Sequence, residues 1–402
     1  MSLQPIEIAP QVFWVGVLDP QIRVFDLVMK AEHGTTYNAY LIKGESGIAL
    51  VDTVKESFQD DFLSKLASVV RLQDINYVVL NHLEADHAGA VPRLLEHTPN
   101  AQVVITRAAR NMLRNFLHRD VAVKEVGDGD TIDLGGRDLR FIPAPFLHWP
   151  ETMLTYLPQA RLLMPCDFLS CHYCDDRMFD DRVGDFSSEY KYYFDAIIRP
   201  FKDYALKALD KIQDLEIDAI APSHGPILRR NPRTYLESYR KWAQEPGEDR
   251  ASLLVFYASS YGNTARMANA IAQGAREAGA NVSVFDLTVM DVPAVMRQVE
   301  AARGLAIGSL TFHGDAPKPV WDFLTALGAL RMRGKVGAAF GSYGWSGEAP
   351  RFIEERLKGL RFTVPEPALR VNMTPSEEDL GQCQEYGRKL GRAVLGSGTP
   401  GL

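Results

Sequence analysis

The chain has 402 residues, 46% hydrophobic and 24% charged, the balance of a globular protein with more than one core. A formal net charge of −7 argues against nucleic acid or an anionic membrane surface as the main partner. The opening MSLQPIEIAP has no signal-peptide pattern, and no run approaches the about 18 apolar residues of a membrane span. Four cysteines (Cys166, Cys171, Cys174, Cys383) are too few for a disulfide scaffold, so the expectation is a soluble protein of the reducing cytoplasm.

Short β-like runs dominate the first half: Val12–Val17, Tyr37–Ile42, Ile48–Asp52, Tyr77–Leu80, Val103–Thr106 and Leu139–Pro143. Helical patterns fall between and after them, at 56–70, 88–97, 107–117, 188–198 and 200–213. This mixture predicts sheets packed on each other with helices outside. A further helix over 232–243 ends at Glu-Pro-Gly-Glu-Asp-Arg, 245–250, which reads as a linker. Domains are therefore expected at 1–249 and 250–402. Beyond the linker the alternation is regular, with strands at 253–258, 282–287, 304–308, 336–341 and 362–371. Helices are expected at 263–278, 291–302, 317–329, 348–358 and 376–395. That order predicts a five-stranded parallel sheet covered on both faces, with a ligand outside the carboxyl ends of its strands.

The apolar run Val78–Leu80 leads at once into Asn81-His82-Leu83-Glu84-Ala85-Asp86-His87. Four ligand-type side chains in six residues point to metal, against the plainer reading of a polar loop capping a helix. Alternation on an extended loop would aim His82, Glu84 and Asp86 to one side, with His87 added by the turn. Three later apolar runs each end on one more candidate: His148 after Phe141–Phe146, Asp167 after Leu162–Cys166 and His224 after Ile217–Pro222.

The series resembles the metallo-β-lactamase superfamily, whose loop reads His-x-His-x-Asp-His, but with Glu84 in the second histidine position. With that change and the order that follows, the whole chain resembles the flavodiiron protein family. The resemblance implies a metallo-β-lactamase-like αββα domain, then a flavodoxin-like domain. It implies that His82, Glu84 and His148 hold one iron, that Asp86, His87 and His224 hold the other, and that Asp167 bridges them. Three carboxylates and a bridging hydroxide balance two divalent ions, and Glu84 adds negative charge that suits ferric iron. Mixed nitrogen and oxygen ligation without thiolate suits iron or manganese and does not exclude zinc.

The second half opens with Phe256-Tyr257-Ala258-Ser259-Ser260-Tyr261-Gly262-Asn263-Thr264, a strand, a hydroxyl-rich turn and a helix start. Hydroxyls and amides there can wrap one phosphate, and the sequence is neither an ATP loop nor a dinucleotide loop. It resembles the FMN phosphate loop of flavodoxins. Two later loops follow central strands: Ser309-Leu310-Thr311-Phe312-His313-Gly314 and Gly341-Ser342-Tyr343-Gly344-Trp345-Ser346-Gly347. The resemblance implies FMN contacts from Ser259–Thr264, from Thr311, Phe312 and Gly314, and from Ser342, Tyr343, Gly344, Trp345 and Gly347. The usual family form has proline and asparagine near the Leu310 and His313 positions.

His172 is either a supporting histidine of the metal site or a loop residue, and Tyr193 reads first as core packing. Trp149 is expected beside His148, whereas His33, His97 and His118 read as structural or surface residues. The lone Cys171/Cys174 pair reads as reduced, non-ligating thiols, because a rubredoxin-type site needs two such pairs. The family likeness implies electrons passing through FMN to the two irons, reducing dioxygen to water, nitric oxide to nitrous oxide, or both. It also implies a head-to-tail homodimer or dimer of dimers, and a separate rubredoxin-like donor. The alternatives are a dinuclear zinc hydrolase with a fused flavodoxin-like domain, or an electron carrier with a structural metal domain.

Overall fold

The computed structural model describes residues 4–26, 29–244, 249–330 and 332–396. Contacts divide the chain into two compact units, Met1–Glu245 and Pro246–Leu402. Of the expected linker, 245–248 lie outside the described residues, and Asp249 already opens a strand.

The first unit is built on two sheets. One has seven strands in chain order: β1 (Ile6–Ala9), β2 (Val12–Trp14), β3 (Tyr40–Lys43), β4 (Ile48–Val51), β5 (Tyr77–Val79), β6 (Gln102–Thr106) and β7 (Val123–Val126). The other has five: β8 (Thr131–Asp133), β9 (Asp138–Pro143), β10 (Met153–Leu157), β11 (Leu162–Met164) and β12 (Ala219–Ile220). Alternation decides what each face buries. Tyr40, Ile42, Ala49, Val51, Val79 and Val104 face Phe141, Met153, Leu157 and Met164 in a core between the sheets. Leu41, Leu50, Val78, Val103 and Ile105 point the other way, into a core with Phe62 and Leu66 of α1 (Gln59–Ala67). Leu94 of α3 (Val91–His97) and Leu113 of α4 (Arg110–Leu117) join them. On the second sheet Ile142, Leu154 and Leu163 share a cluster with Tyr190 of α5 (Ser187–Tyr193) and Leu209 of α6 (Lys202–Ile212). This is the expected αββα sandwich, and α7 (Pro232–Gln244) closes the unit.

The second unit is a five-stranded parallel sheet. Its strands are β13 (Asp249–Ala258), β14 (Asn281–Asp286), β15 (Ala302–Ser309), β16 (Val336–Tyr343) and β17 (Leu369–Asn372), in spatial order β14-β13-β15-β16-β17. Leu253, Val255, Ala306 and Phe340 pack under α8 (Asn263–Glu277) and α12 (Glu377–Gly396). Leu254, Phe256, Leu305 and Ile307 pack against the helices on the opposite face. Burial on both faces makes the central strands apolar over Leu253–Ala258, Gly304–Gly308 and Val336–Gly341. The order is the doubly wound, flavodoxin-like one.

Three expectations need correction. The strand expected over 362–371 shrinks to Leu369–Asn372, because Pro365 and Pro367 cannot donate to a ladder. The helix expected over 88–97 is α3, Val91–His97, and a separate one-turn helix, α2 (Ala85–Ala88), precedes it, so Asp86 and His87 are helical neighbours and not the end of an extended run. The helix expected over 188–198 ends as α-helix at Tyr193 and continues as one π-helical segment, Phe194–Ile198.

Candidate metal centre and flavin cavity

Four chain segments deliver the seven candidate ligands to one end of the first unit. Asn81 fixes the departure from β5: its N–H donates to Asp52 Oδ1 (2.8 Å), its Oδ1 accepts from Thr155 (2.7 Å) and its Nδ2 donates to Met164 O (3.2 Å). His82 and Glu84 follow in the loop, and α2 carries Asp86 and His87. His148 enters between β9 and β10, Asp167 after β11 and His224 after β12.

The seven side chains form two groups. His82 Nε2 lies 3.1 Å from Glu84 Oε2, which lies 3.3 Å from His148 Nε2. His87 Nε2 lies 3.3 Å from Asp86 Oδ1, and His224 Nε2 lies 3.2 Å from Asp86 Oδ2. Asp167 touches both groups. Its Oδ2 is 3.4 Å from His148 Nε2 and 3.3 Å from His87 Nε2, and its Oδ1 is 3.3 Å from His224 Nε2. His82, His87, Asp167 and His224 are buried, while the Glu84 and His148 side chains keep 24% and 16% of their surface, so the site opens on their side.

The electrostatics are those of imidazoles and carboxylates crowded into one buried cluster. Burial opposes a charge on His82, but the hydrogen-bonded carboxylates of Glu151 and Glu84 outweigh it and push the imidazole up to about 10. His224 rises to about 10 and His148 to about 9 in the same way, each against burial and through carboxylates, Asp167 first. Burial pushes Glu84 up, yet His148 and His82 bring it down to about 2.

Three atoms test whether a metal pair fits. Asp86 Oδ1, His87 Nε2 and Asp167 Oδ2 are buried without a hydrogen-bond partner. Unsatisfied buried polar atoms are rare in folded proteins, and here His87 Nε2 lies 3.3 Å from each of the other two. Histidine nitrogens and carboxylate oxygens are donors that iron accepts. Cys166 also approaches His87 and Asp167, but burial, Asp167 and Asp52 hold its thiol well above its ordinary range. The residues fit a dinuclear non-haem iron site.

Several supporting groups leave little trace in the sequence. Glu151 is buried, and its Oε1 accepts from His82 Nδ1 (2.7 Å) and Leu83 N (3.1 Å). Its only sign in the sequence is an acid three residues after a ligand, in His-Trp-Pro-Glu. His224 Nδ1 donates to the Thr36 carbonyl (2.6 Å), so Nε2 is the nitrogen turned to Asp86 and the one that a metal would take once the ring is neutral. Tyr193 is buried as expected of core packing, and its hydroxyl donates to Asp167 Oδ1 (3.0 Å). His172 is buried, not a partly exposed loop residue; Nδ1 meets Thr35 Oγ1 (2.9 Å), and burial holds the ring neutral. Trp149 stands nearer His82 (ring centroids 5.1 Å) than His148 (6.5 Å). Cys171 and Cys174 are free thiols raised by burial and join no ligand group among the described residues. His33 is half exposed beside Glu189, and His118 caps α4 in a left-handed conformation.

The second unit holds a cavity of about 390 Å3 outside the carboxyl ends of its strands. The first loop lines it with Ser259, Ser260, Tyr261, Asn263 and Thr264, ahead of the α8 N-terminus. Leu310, Thr311 and Phe312 follow from the second loop, and Ser342, Tyr343 and Gly344 from the third. Thr264 Oγ1 and Ser342 Oγ, 2.9 Å apart, tie two of these loops together. Gly262, Gly314, Trp345 and Gly347 stand beside the cavity lining and not in it; Met373 and Thr374, which no sequence motif marks, are in it. Gly347 has φ 72°, and a Cβ there would sit 2.6 Å from the Tyr343 ring. His313 and Gly314, with φ 51° and 76°, form a two-residue turn closed by Phe312 N to Asp315 O (2.8 Å) and its reciprocal bond (3.0 Å). Histidine shares asparagine's tolerance of this left-handed region, so the departure at His313 keeps the turn.

The fold and sites define a class: a metallo-β-lactamase-like metal domain joined to a flavodoxin. Residues 35–225 match the family described as ODP family beta lactamase, and 255–387 match flavodoxin. The type A flavoprotein fprA of Rhodobacter capsulatus is 47% identical, over 98% of this chain and 93% of its own length. A nitric oxide reductase of Moorella thermoacetica is 39% identical, over 97% of this chain and 99% of its own. The structure of rubredoxin oxygen:oxidoreductase from Desulfovibrio gigas superposes with a TM-score of 0.74 at 28% identity, covering 98% and 99% of the two chains. The chain belongs to the flavodiiron (type A flavoprotein) family, whose cofactors are a non-haem diiron site and, in the flavodoxin domain, FMN. No helix among the described residues is long and apolar enough to cross a membrane.

Proposed function

We propose that this chain reduces dioxygen to water, nitric oxide to nitrous oxide, or both, at two irons, with electrons entering through FMN. His82, Glu84 and His148 hold one iron, Asp86, His87 and His224 the other, and Asp167 bridges. Asp167 carries the proposal: one buried carboxylate within 3.4 Å of a histidine nitrogen in each group, with its Oδ2 making no hydrogen bond. Glu84, in place of a histidine, makes three carboxylates in the set, the charge that suits redox iron better than hydrolytic zinc. When bound, two irons and FMN together store the four electrons that dioxygen needs, whereas two nitric oxide molecules need two.

The chain's own residues exclude water from His82 and His224, fix the imidazole tautomers through Glu151 and Thr36, and leave the Glu84–His148 side open to a small gas. Ser259–Thr264, Thr311, Phe312, Ser342, Tyr343 and Gly344 hold FMN, with the phosphate at the α8 N-terminus. A rubredoxin-class protein supplies the electrons, in keeping with the name of the Desulfovibrio gigas neighbour. The active form is a head-to-tail homodimer or a dimer of dimers, and the free thiols suit the cytoplasm.

The test is anaerobic turnover of iron- and FMN-loaded protein with a chemically reduced donor, following dioxygen and nitric oxide separately. Two irons per chain and consumption of either gas are expected. His82→Ala and Asp167→Asn should abolish consumption while FMN stays bound. Two zincs with hydrolytic turnover, or unchanged electron flux in these variants, would overturn the reading.

A further inference from the structure

Met373 is exposed, with 63% of its surface open. It stands just past β17, and with Thr374 it lines the flavin cavity beside Tyr343 and Gly344. Its backbone is left-handed at φ 58°, a conformation that residues other than glycine adopt only when neighbours impose it. Two residues of the preceding loop do so. Met373 N–H donates to Tyr343 O (2.8 Å), and Asn372 Nδ2 donates to Gly344 O (3.0 Å) and Tyr343 O (3.4 Å). The loop after β17 is thus lashed to the loop after β16, and the lashing holds an apolar side chain at the cavity with little protein over it. Tyr261 and Phe312, 95% and 58% exposed, line the same cavity from two other loops. Large apolar side chains left open round one concavity suit a flat ring that covers them.

We propose that Met373 is an FMN contact contributed by the loop after β17, and that oxidation of its thioether is a modification that weakens flavin binding. This rests on reading the cavity as the FMN site. A thioether packs well on an aromatic ring because it is soft and apolar, whereas the sulfoxide is polar and bulkier. Hydrogen peroxide is the oxidant: the sulfur lone pair takes one peroxide oxygen, the O–O bond breaks and water leaves. The sulfur loses two electrons and the peroxide gains them. Met153, Met164, Met178 and Met267, by contrast, are buried and shielded from this chemistry.

The experiment uses the full chain, FMN-free and FMN-loaded, treated with hydrogen peroxide in the dark. Peptide mass spectrometry follows the sulfoxide at each methionine, and FMN dissociation constants are measured before and after treatment. Met373 is expected to oxidise several-fold faster without FMN than with it. Treatment should weaken FMN binding about two- to tenfold, the range of one sulfur–aromatic contact. In Met373→Leu, whatever its own FMN affinity, peroxide treatment should leave that affinity unchanged, because leucine has no thioether to oxidise. Equal oxidation of Met373 with and without FMN, or equal weakening in Met373→Leu, overturns the proposal while leaving the cavity reading intact. A folded chain that takes up no FMN overturns both.

Discussion

His82 Nδ1 donates to Glu151 Oε1, so once the ring is neutral its remaining proton sits on the nitrogen that faces away from the ligand cluster, and Nε2 is free to bind a metal. Removing that acceptor leaves the ring free to turn or to change tautomer. Glu151→Ala is expected to weaken binding of one iron by about 10- to 100-fold, and Glu151→Gln by less, because an amide oxygen still accepts. Iron stoichiometry under increasing chelator reads this directly; equal loss of both irons, or no loss, would count against the assignment. The raised imidazoles give a second prediction. His82, His148 and His224 of the metal-free protein hold their protons up to about 10, 9 and 10, above the ordinary value of 6.5. A metal needs neutral rings, so loading near pH 7 releases the protons held by His82, His148 and His224, together with that of His87, whose ring Asp167 and Asp86 raise against burial. Since protons compete for the same nitrogens, affinity climbs as pH rises towards 9 and flattens above 10. Calorimetric ferrous titrations in buffers of different ionisation enthalpy measure the release; a pH-independent affinity would refute the cluster's charge state.

Helices α8 and α12 meet with glycines on both sides. A Cβ at Gly274 would collide with the Gln384 carbonyl, and one at Gly387 with the Ile271 carbonyl. Gly387→Ala therefore forces the two backbones apart and is expected to cost about 1–3 kcal/mol, the range of overpacked cores. Gly381 lies on the same helix, and a Cβ there would meet nothing, so Gly381→Ala should instead stabilise by about 0.5–1 kcal/mol through helix propensity. Urea unfolding followed by flavin release separates the two; matching shifts would show that the crossing is not tight. Elements differ in how much of themselves a sequence discloses. The first four strands of the second unit are legible because each carries an apolar run or alternation, Val282, Val284 and Phe285 in the edge strand β14, and is followed by a helix. The fifth reads too long, because Phe362-Thr363-Val364 is β-prone and Thr363 bridges Val336, but the prolines after it interrupt the ladder until Leu369. In the first unit the strand ends locate all seven candidate ligand positions. The fold of the ligand loop is not legible, since a one-turn helix at Ala85–Ala88 leaves no periodicity to read. Glu151, Tyr193 and Met373 owe their placement to contacts between segments far apart in the chain, and no local pattern marks such contacts.

Two separate compact units, one with metal ligands and one with a flavin cavity, pose the question of which pairs exchange electrons. If the protein works as a head-to-tail dimer, the flavin of one chain serves the irons of its partner, and two different defects should complement. Asp167→Asn removes the residue expected to bridge the irons while sparing the flavodoxin unit. Thr264→Glu sets a carboxylate at the buried hydroxyl where the FMN phosphate is expected, while sparing the metal unit. A dimer of one chain of each kind then holds one intact flavin facing one intact iron pair, and about half of the wild-type activity is expected, because a two-fold dimer has two such pairings. Transfer within a chain predicts none, since each chain lacks one partner. Co-expression with two affinity tags isolates the mixed dimer, and gas consumption per dimer decides between the routes. Each variant alone must be inactive for the comparison to hold, and an inactive mixed dimer with FMN and iron at half occupancy would rule out transfer between chains.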